Sequence, residues 1–396
     1  MSTFYVVSIV ILLHAASHLL HAPSYIYQKQ LDGESSMKNS TGQTGTGSCR
    51  TGNPIDDCWR CDPDWETNRK VLADCGVGFG RNAVGGRDGE FYVVKDSGND
   101  DPENHVLGTL RYAVIQEEPL WIIFNQDMVI QLKEELIMNS YKTIDGRGFN
   151  IEISKGPCIA IQNVSNIIIH GIYIHDCVPA EMPWTDHAGL RGVSDGDGIS
   201  LFGARDIWID HLYGSTAITI SNNYMFHHNE VMLMGHRDDF LADKKMQVTI
   251  AFNYFGEGLV QRIPRCRLGY FHIVNNIYTG WKAYAVGGSA NPTINSQGNV
   301  FIASDNRAKK EVMSHLLNML LHVTKHVTSS GDDEWKNWNW RSDGDLMMNG
   351  AYFTTSGQAT PGIYAKAPSM VARPASLLQN IMPSPGVLSC KIGQKC

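Results

Sequence analysis

Four stretches decide the fold: Thr219-Ile-Ser-Asn-Asn-Tyr-Met, Thr249-Ile-Ala-Phe-Asn-Tyr-Phe, His272-Ile-Val-Asn-Asn-Ile-Tyr and the later Gly298-Asn-Val-Phe. Each is a short β-branched run, then a polar turn residue, then an apolar or aromatic pair. The turn residues are Asn223, Asn253, Asn276 and Asn299; the last two steps are equal and the first is a little longer. Strand-bearing repeats of this length predict a parallel β-helix. Three strands of about five residues with short turns give roughly 22 residues per coil, close to the spacing of these asparagines. Stacked Asn side chains at one turn can hydrogen-bond along the axis, and stacked apolar positions make one continuous core. The near-continuous apolar run Ile167-Ile-Ile is what a buried parallel strand requires. A β-sandwich with coincidental spacing is the alternative.

One spacing breaks the pattern. His211, the turn position after Trp208, lies only about half a coil before Asn223. Either one segment leaves the stack or part of a coil is missing.

Outward from the repeat, residues 53–396 read as one solenoid domain with an N-terminal cap and a C-terminal tail. Trp59, Trp65, Leu72 and Phe79 suggest a disulfide-tied cap with a helix near 64–74. Strand-like runs follow at Phe91-Tyr-Val-Val, Leu120-Trp-Ile-Ile-Phe and Met128-Val-Ile-Gln-Leu, divided by glycine turns such as Asp145-Gly-Arg-Gly. Residues 23–52 are polar and read as a flexible leader. Residues 1–22 hold an apolar run, Phe4 to Leu13, too short to span a bilayer; they read as a signal peptide, although no Lys or Arg precedes the run. Secretion permits disulfides. Of nine cysteines, the local pairs are Cys58 with Cys75, Cys158 with Cys177 and Cys390 with Cys396. The odd count leaves a thiol over. Asn39 and Asn163 begin glycosylation sequons.

Composition narrows the chemistry. Of 396 residues 43% are hydrophobic and 18% charged, with 38 glycines, which excludes a disordered chain, a collagen and a coiled coil. The net charge of −7 supplies no global attraction for polyanions, which argues against nucleic acid as a partner. Three clusters stand out. Asp195-Gly-Asp197-Gly offers two carboxylates suited to a hard cation such as calcium, or is a solvated turn. Arg262-Ile-Pro-Arg265-Cys-Arg267 can clamp carboxylates bidentately, or is an exposed basic turn. His227-His228 with His236 lacks the spacing of a metal site and reads as structural or solvated.

Six motifs in order resemble the plant pectate lyases of polysaccharide lyase family 1, which include pollen allergens. They are Asn53-Pro-Ile-Asp-Asp-Cys-Trp-Arg, Pro119-Leu-Trp-Ile-Ile-Phe, Lys142-Thr-Ile-Asp-Gly-Arg-Gly, Ser194-Asp-Gly-Asp-Gly, Gln261-Arg-Ile-Pro-Arg-Cys-Arg and Val286-Gly-Gly-Ser. The resemblance implies an all-β, right-handed, single-stranded parallel β-helix, secreted to the cell wall. It implies a monomer with no membrane partner. It also implies calcium-dependent β-elimination of polygalacturonate. Asp195 and Asp197 would be metal ligands, Arg262 the base, and Arg265 and Arg267 substrate-binding residues. Arginine is ordinarily always protonated, so the base role rests on the resemblance.

The chain departs from that pattern in three places. After Ile207-Trp-Ile-Asp-His the family carries a segment with two further acidic ligands; here Leu212-Tyr213 runs into Gly214-Ser-Thr, and about a dozen residues are absent, roughly what would restore one coil. The family's substrate-binding lysine is Glu230 here, a negative charge facing an anionic substrate. Met313 to His322 is an additional apolar stretch. A catalytically inactive pectin-binding homologue is therefore the rival expectation. A polygalacturonase-type hydrolase is a third, for which Asp238-Asp239 is the faint acidic echo.

Overall fold

A computed structural model describes residues 50–98, 101–180, 184–210, 218–304, 322–328, 333–358 and 362–396. The expected signal peptide at 1–22, the leader up to residue 49, Asn39, the His211–Tyr213 junction and residues 313–321 lie outside the described residues.

The expected stack is formed. Ten parallel strands make one long wall: Glu90–Val94, Leu120–Phe124, Lys142–Asp145, Ser165–His170, Arg205–Asp210, Ile218–Ser221, Gln247–Ala251, Tyr270–Val274, Thr293–Gln297 and Asn339–Asp343. Its register aligns Ile122, Ile144, Ile169, Ile209, Ile220, Ile250 and Ile273 in one column. All seven are fully buried. β-Branched side chains have one strongly preferred rotamer, so identical residues on successive rungs pack alike. The expected asparagine ladder forms beside them. Asn223 Nδ2 donates to Asn253 Oδ1 (2.6 Å), Asn253 to Asn276 (2.9 Å) and Asn276 to Asn299 (2.9 Å). Asn299 then donates to Asp345 Oδ1 (2.9 Å), which ends the ladder. Phe255, Tyr278 and Phe301 stack at 4.5 Å centroid spacing within the same core.

The other two walls are each in two pieces. The second wall has Leu136–Ile137, Ile159–Gln162 and Ile199–Phe202 in one sheet. Leu233–Met234, Arg265–Arg267, Val286–Ser289 and Thr324–His326 form another. The third wall splits likewise, between Tyr173–His175 and Tyr224–Met225. The reason is the short spacing. Ile207 pairs directly with Ile218, only half a coil further along the chain. Val248 pairs with Phe271 and Phe271 with Ile294, a full coil each time. Both strands of the short step stay in the stack, and among the described residues that coil contributes nothing to the other walls. The two strands pair directly, and the residues that join them, 211–217, lie outside the described residues.

The outer face of the long wall is covered. The cap holds a short α-helix, Asp56–Trp59, and a 3-10 helix over Arg69–Asp74. The helix expected near 64–74 is thus only its second half. Phe79 and Gly80 amides donate to Thr249 and Thr219 on the wall (both 3.0 Å). A Cβ on Gly80 would meet the Ile207 carbonyl at 2.4 Å, so only glycine permits this approach. From the C-terminal side Ser369 reaches His272, and Arg373 reaches Asn275. The three expected disulfides are all formed. Cys61 is also disulfide-bonded, and the free thiol among the described residues is the buried Cys266. With the long wall covered on both faces, the second wall is left to carry a site.

Candidate functional site

The arginine cluster is built by the second wall. In Arg265–Arg267 alternation sends Cys266 inward and the two arginines outward. Arg262 lies just before the strand at φ +58°, a left-handed conformation disfavoured for residues other than glycine. Two backbone bonds bracket it: Met232 N–H donates to its carbonyl (2.6 Å), and Ile263 N–H to Ala285 (2.7 Å).

The three arginines differ in what already occupies them. Arg262 Nη2 pairs with Glu230 Oε1 at 2.8 Å, each side chain about a quarter exposed. Gln261 Nε2 donates to the same oxygen (3.3 Å). Arg267 is held by the protein: its Nε donates to Asp238 Oδ1 (3.1 Å) and its Nη1 to the carbonyls of Gly235 and His236. Burial, with Arg265 and Arg262 nearby, pulls its pKa below the usual arginine value. Arg265 reaches Ser289 Oγ only at 3.4 Å. Its Nε is buried without a hydrogen-bond partner.

Tyr284 joins this cluster unannounced by the sequence motifs. Burial raises its pKa; Arg265 and Arg262 oppose that rise, and Glu230 adds to it. Its hydroxyl thus lies within the field of all three.

The acidic pair lies on the other piece of the wall, in the loop before Ile199–Phe202. Ser200 Oγ donates to Asp197 Oδ2 (3.1 Å). Glu135, just before Leu136–Ile137, is a third carboxyl that the sequence did not single out. Burial pushes its pKa up to about 7; Arg191 opposes this, while Asp197, Asp195 and Glu134 push the same way. The break in the second wall lies between this acidic end and the arginines.

Calcium takes six to eight oxygens, and the acidic end supplies few of them. Among the described residues no group of three or more His, Cys, Asp or Glu is placed to hold a metal. Asp195 and Asp197 alone do not make a closed calcium site. The histidines have local partners: His228 Nε2 meets the Glu230 carbonyl (3.0 Å) and His227 Nε2 the Glu257 carboxylate (3.2 Å). Burial takes His228 down to about 4. Of the Asp238-Asp239 pair, the first is bound to Arg267 and Ser289 and the second to Arg237. Asn163, of the second sequon, is exposed. No helix among the described residues is long and apolar enough to cross a membrane.

Comparison with known proteins gives one consistent result. A family model described as pectate lyase matches residues 125–376. A probable pectate lyase of Arabidopsis thaliana is 61% identical over 368 residues, covering 88% of this chain and 82% of that protein. A pectate lyase of Zinnia elegans is 58% identical, covering 91% of each. Among solved structures, the major allergen from cedar pollen aligns with a TM-score of 0.76 at 39% identity, over 85% of this chain and 99% of that one. A pectate lyase bound to a hexasaccharide aligns at 0.54 with 18% identity, a likeness of fold.

Proposed function

The chain belongs to the pectate lyase family, and on that premise we propose that it cleaves polygalacturonate by β-elimination in the plant cell wall. The observation that carries this reading is Arg265. Its half-buried side chain stands on the outward face of a wall beside Arg262, with a long 3.4 Å bond to Ser289 Oγ that leaves its guanidinium weakly held. A uronate carboxylate is an acceptor of matching charge and geometry. Elimination removes the proton on C5, forms the C4–C5 double bond and breaks the bond from C4 of the same sugar to the glycosidic oxygen, which takes up a proton and leaves as the C1 hydroxyl of the neighbouring sugar. Arg265 binds and orients the carboxylate next to C5. Arg262 is the base carried by the family resemblance, and Arg267, fixed by Asp238 and two carbonyls, contributes local positive charge. That charge is local, which is how a protein of net charge −7 holds a polyanion.

Calcium is the cofactor the family resemblance supplies, with Asp195 and Asp197 as its protein ligands. When bound it would neutralise substrate charge. The two carboxylates do not enclose it, so its retention would depend on oxygens from the substrate. Residues 53–396 are the catalytic domain of this proposal, and 1–22 the export signal.

The test is to mix purified protein with polygalacturonate and follow the ultraviolet absorbance of unsaturated ends. Arg265→Ala should lower kcat/KM by roughly tenfold or more. No absorbance rise at any calcium concentration removes the enzyme reading and leaves the second one, a pectin-binding β-helix without turnover. The broken second wall beside Asp195 and Asp197 favours that alternative.

A further inference from the structure

The second wall carries one more cation that no motif points to. Its register places Arg265 opposite Gly287, and Gly287 opposite Lys325. All three positions face outward, and Lys325 is exposed. Two strand spacings, roughly 10 Å, separate Arg265 from Lys325. Between them Gly287 contributes no side chain. The Tyr284 ring takes that space on the outward side of Gly287: its Cε2 atom would be 2.3 Å from a Cβ there. Lys325 Nζ sits over that same ring, 5.7 Å from its centroid. The arrangement is an aromatic ring laid on the buried Gly287 and flanked by two cations.

We propose that Lys325 is the cation of a further substrate subsite, holding a galacturonate carboxylate displaced along the solenoid axis from the one at Arg265. This rests on the pectate-cleaving reading and extends the same site. A polyuronate carries one carboxylate per sugar. A chain lying across the strands therefore brings a second carboxylate past the Tyr284 ring to Lys325. The glycine is what leaves room for that ring against the wall. Lys325 acts by binding and touches no reacting bond, so its effect belongs in KM.

The experiment compares the full chain with Lys325→Gln, Lys325→Arg and a distant control of equal charge change, Lys391→Gln, which is exposed near the C-terminus. Polygalacturonate is the probe. Affinity electrophoresis measures binding and absorbance measures turnover, each at low and high salt. Lys325→Gln should weaken binding and raise KM by roughly three- to tenfold at low salt, and the difference should shrink at high salt. Lys325→Arg should restore most of the loss, and Lys391→Gln should match the parent. Equal binding by parent and Lys325→Gln overturns the proposal, as does a loss that Lys391→Gln reproduces. If the parent binds but produces no unsaturated ends, the lyase reading fails. Binding by the same variants still decides Lys325.

Discussion

Glu230 is the residue whose removal is most informative. It pairs with Arg262 at 2.8 Å, where the family resemblance places a substrate-binding lysine. A uronate carboxylate drawn to Arg262 must approach within roughly 5 Å of Glu230. Like charges at that distance repel by up to ~3 kcal/mol at the effective dielectric of a protein surface. Both side chains are about a quarter exposed, and exposed pairs measure nearer ~1 kcal/mol. About 1 kcal/mol is roughly fivefold in affinity. Glu230→Gln keeps an oxygen for the Gln261 amide, whose bond to Oε1 is 3.3 Å, and removes the charge. Its KM for polygalacturonate should fall about fivefold at low ionic strength. The gain should fade toward unity near ~1 M salt, where the Debye length is about 3 Å. Initial rates across substrate concentration at the two salt levels read this directly, with thermal melts as the folding control. An unchanged or raised KM at low salt refutes competition between Glu230 and substrate, and makes Glu230 a residue that positions Arg262.

Three further outcomes follow from the same structure. Asn276→Ala removes a buried amide that bonds Asn299, Asn253 and the Ile250 carbonyl; denaturant unfolding should show a loss of about 2–4 kcal/mol, and a loss under about 0.5 kcal/mol would mean the ladder is incidental. His272 is buried and pulled down to about 4 by that burial, its Nδ1 accepting from the Ser369 amide (3.0 Å); because its folded pKa lies below the unfolded value of about 6.5, its share of stability, at most ~3 kcal/mol, is present above that value and lost as pH falls toward 4, a slope that His272→Gln should flatten in pH-dependent melts. Calcium binding without substrate should be weak, in the ~10⁻⁴–10⁻³ M class, because Asp195 and Asp197 are too few ligands; a submicromolar constant by calorimetry would reveal a ligand set not described above.

What the sequence disclosed depended on constant coil length. Asn253, Asn276 and Asn299 recur at equal steps, so counting along the chain was the same as counting along the axis, and the ladder could be read. The short step from His211 to Asn223 was legible for the same reason, and it reappears as Ile207 paired with Ile218 and as a break in two walls. Where coil length varies, counting fails. Gly287 and Lys325 are neighbours although well over one ordinary coil of chain separates them. Glu135 lies within the field of Asp195 and Asp197 from several strands earlier in the chain. Neither relation leaves a local signal. The three arginines were visible as a cluster, but their inequality was not. Arg267 is occupied by Asp238, Arg262 is paired with Glu230, and Arg265 retains an unmet donor.

The reaction class itself is settled most directly by isotope. Polygalacturonate is digested in water enriched in oxygen-18, and the new ends are weighed by mass spectrometry. Elimination predicts fragments whose new non-reducing ends are unsaturated, lighter by one water than hydrolysis products, and in which cleavage itself inserts no heavy oxygen. Saturated ends carrying one heavy oxygen per cut would contradict a lyase, and an undigested polymer would contradict an enzyme.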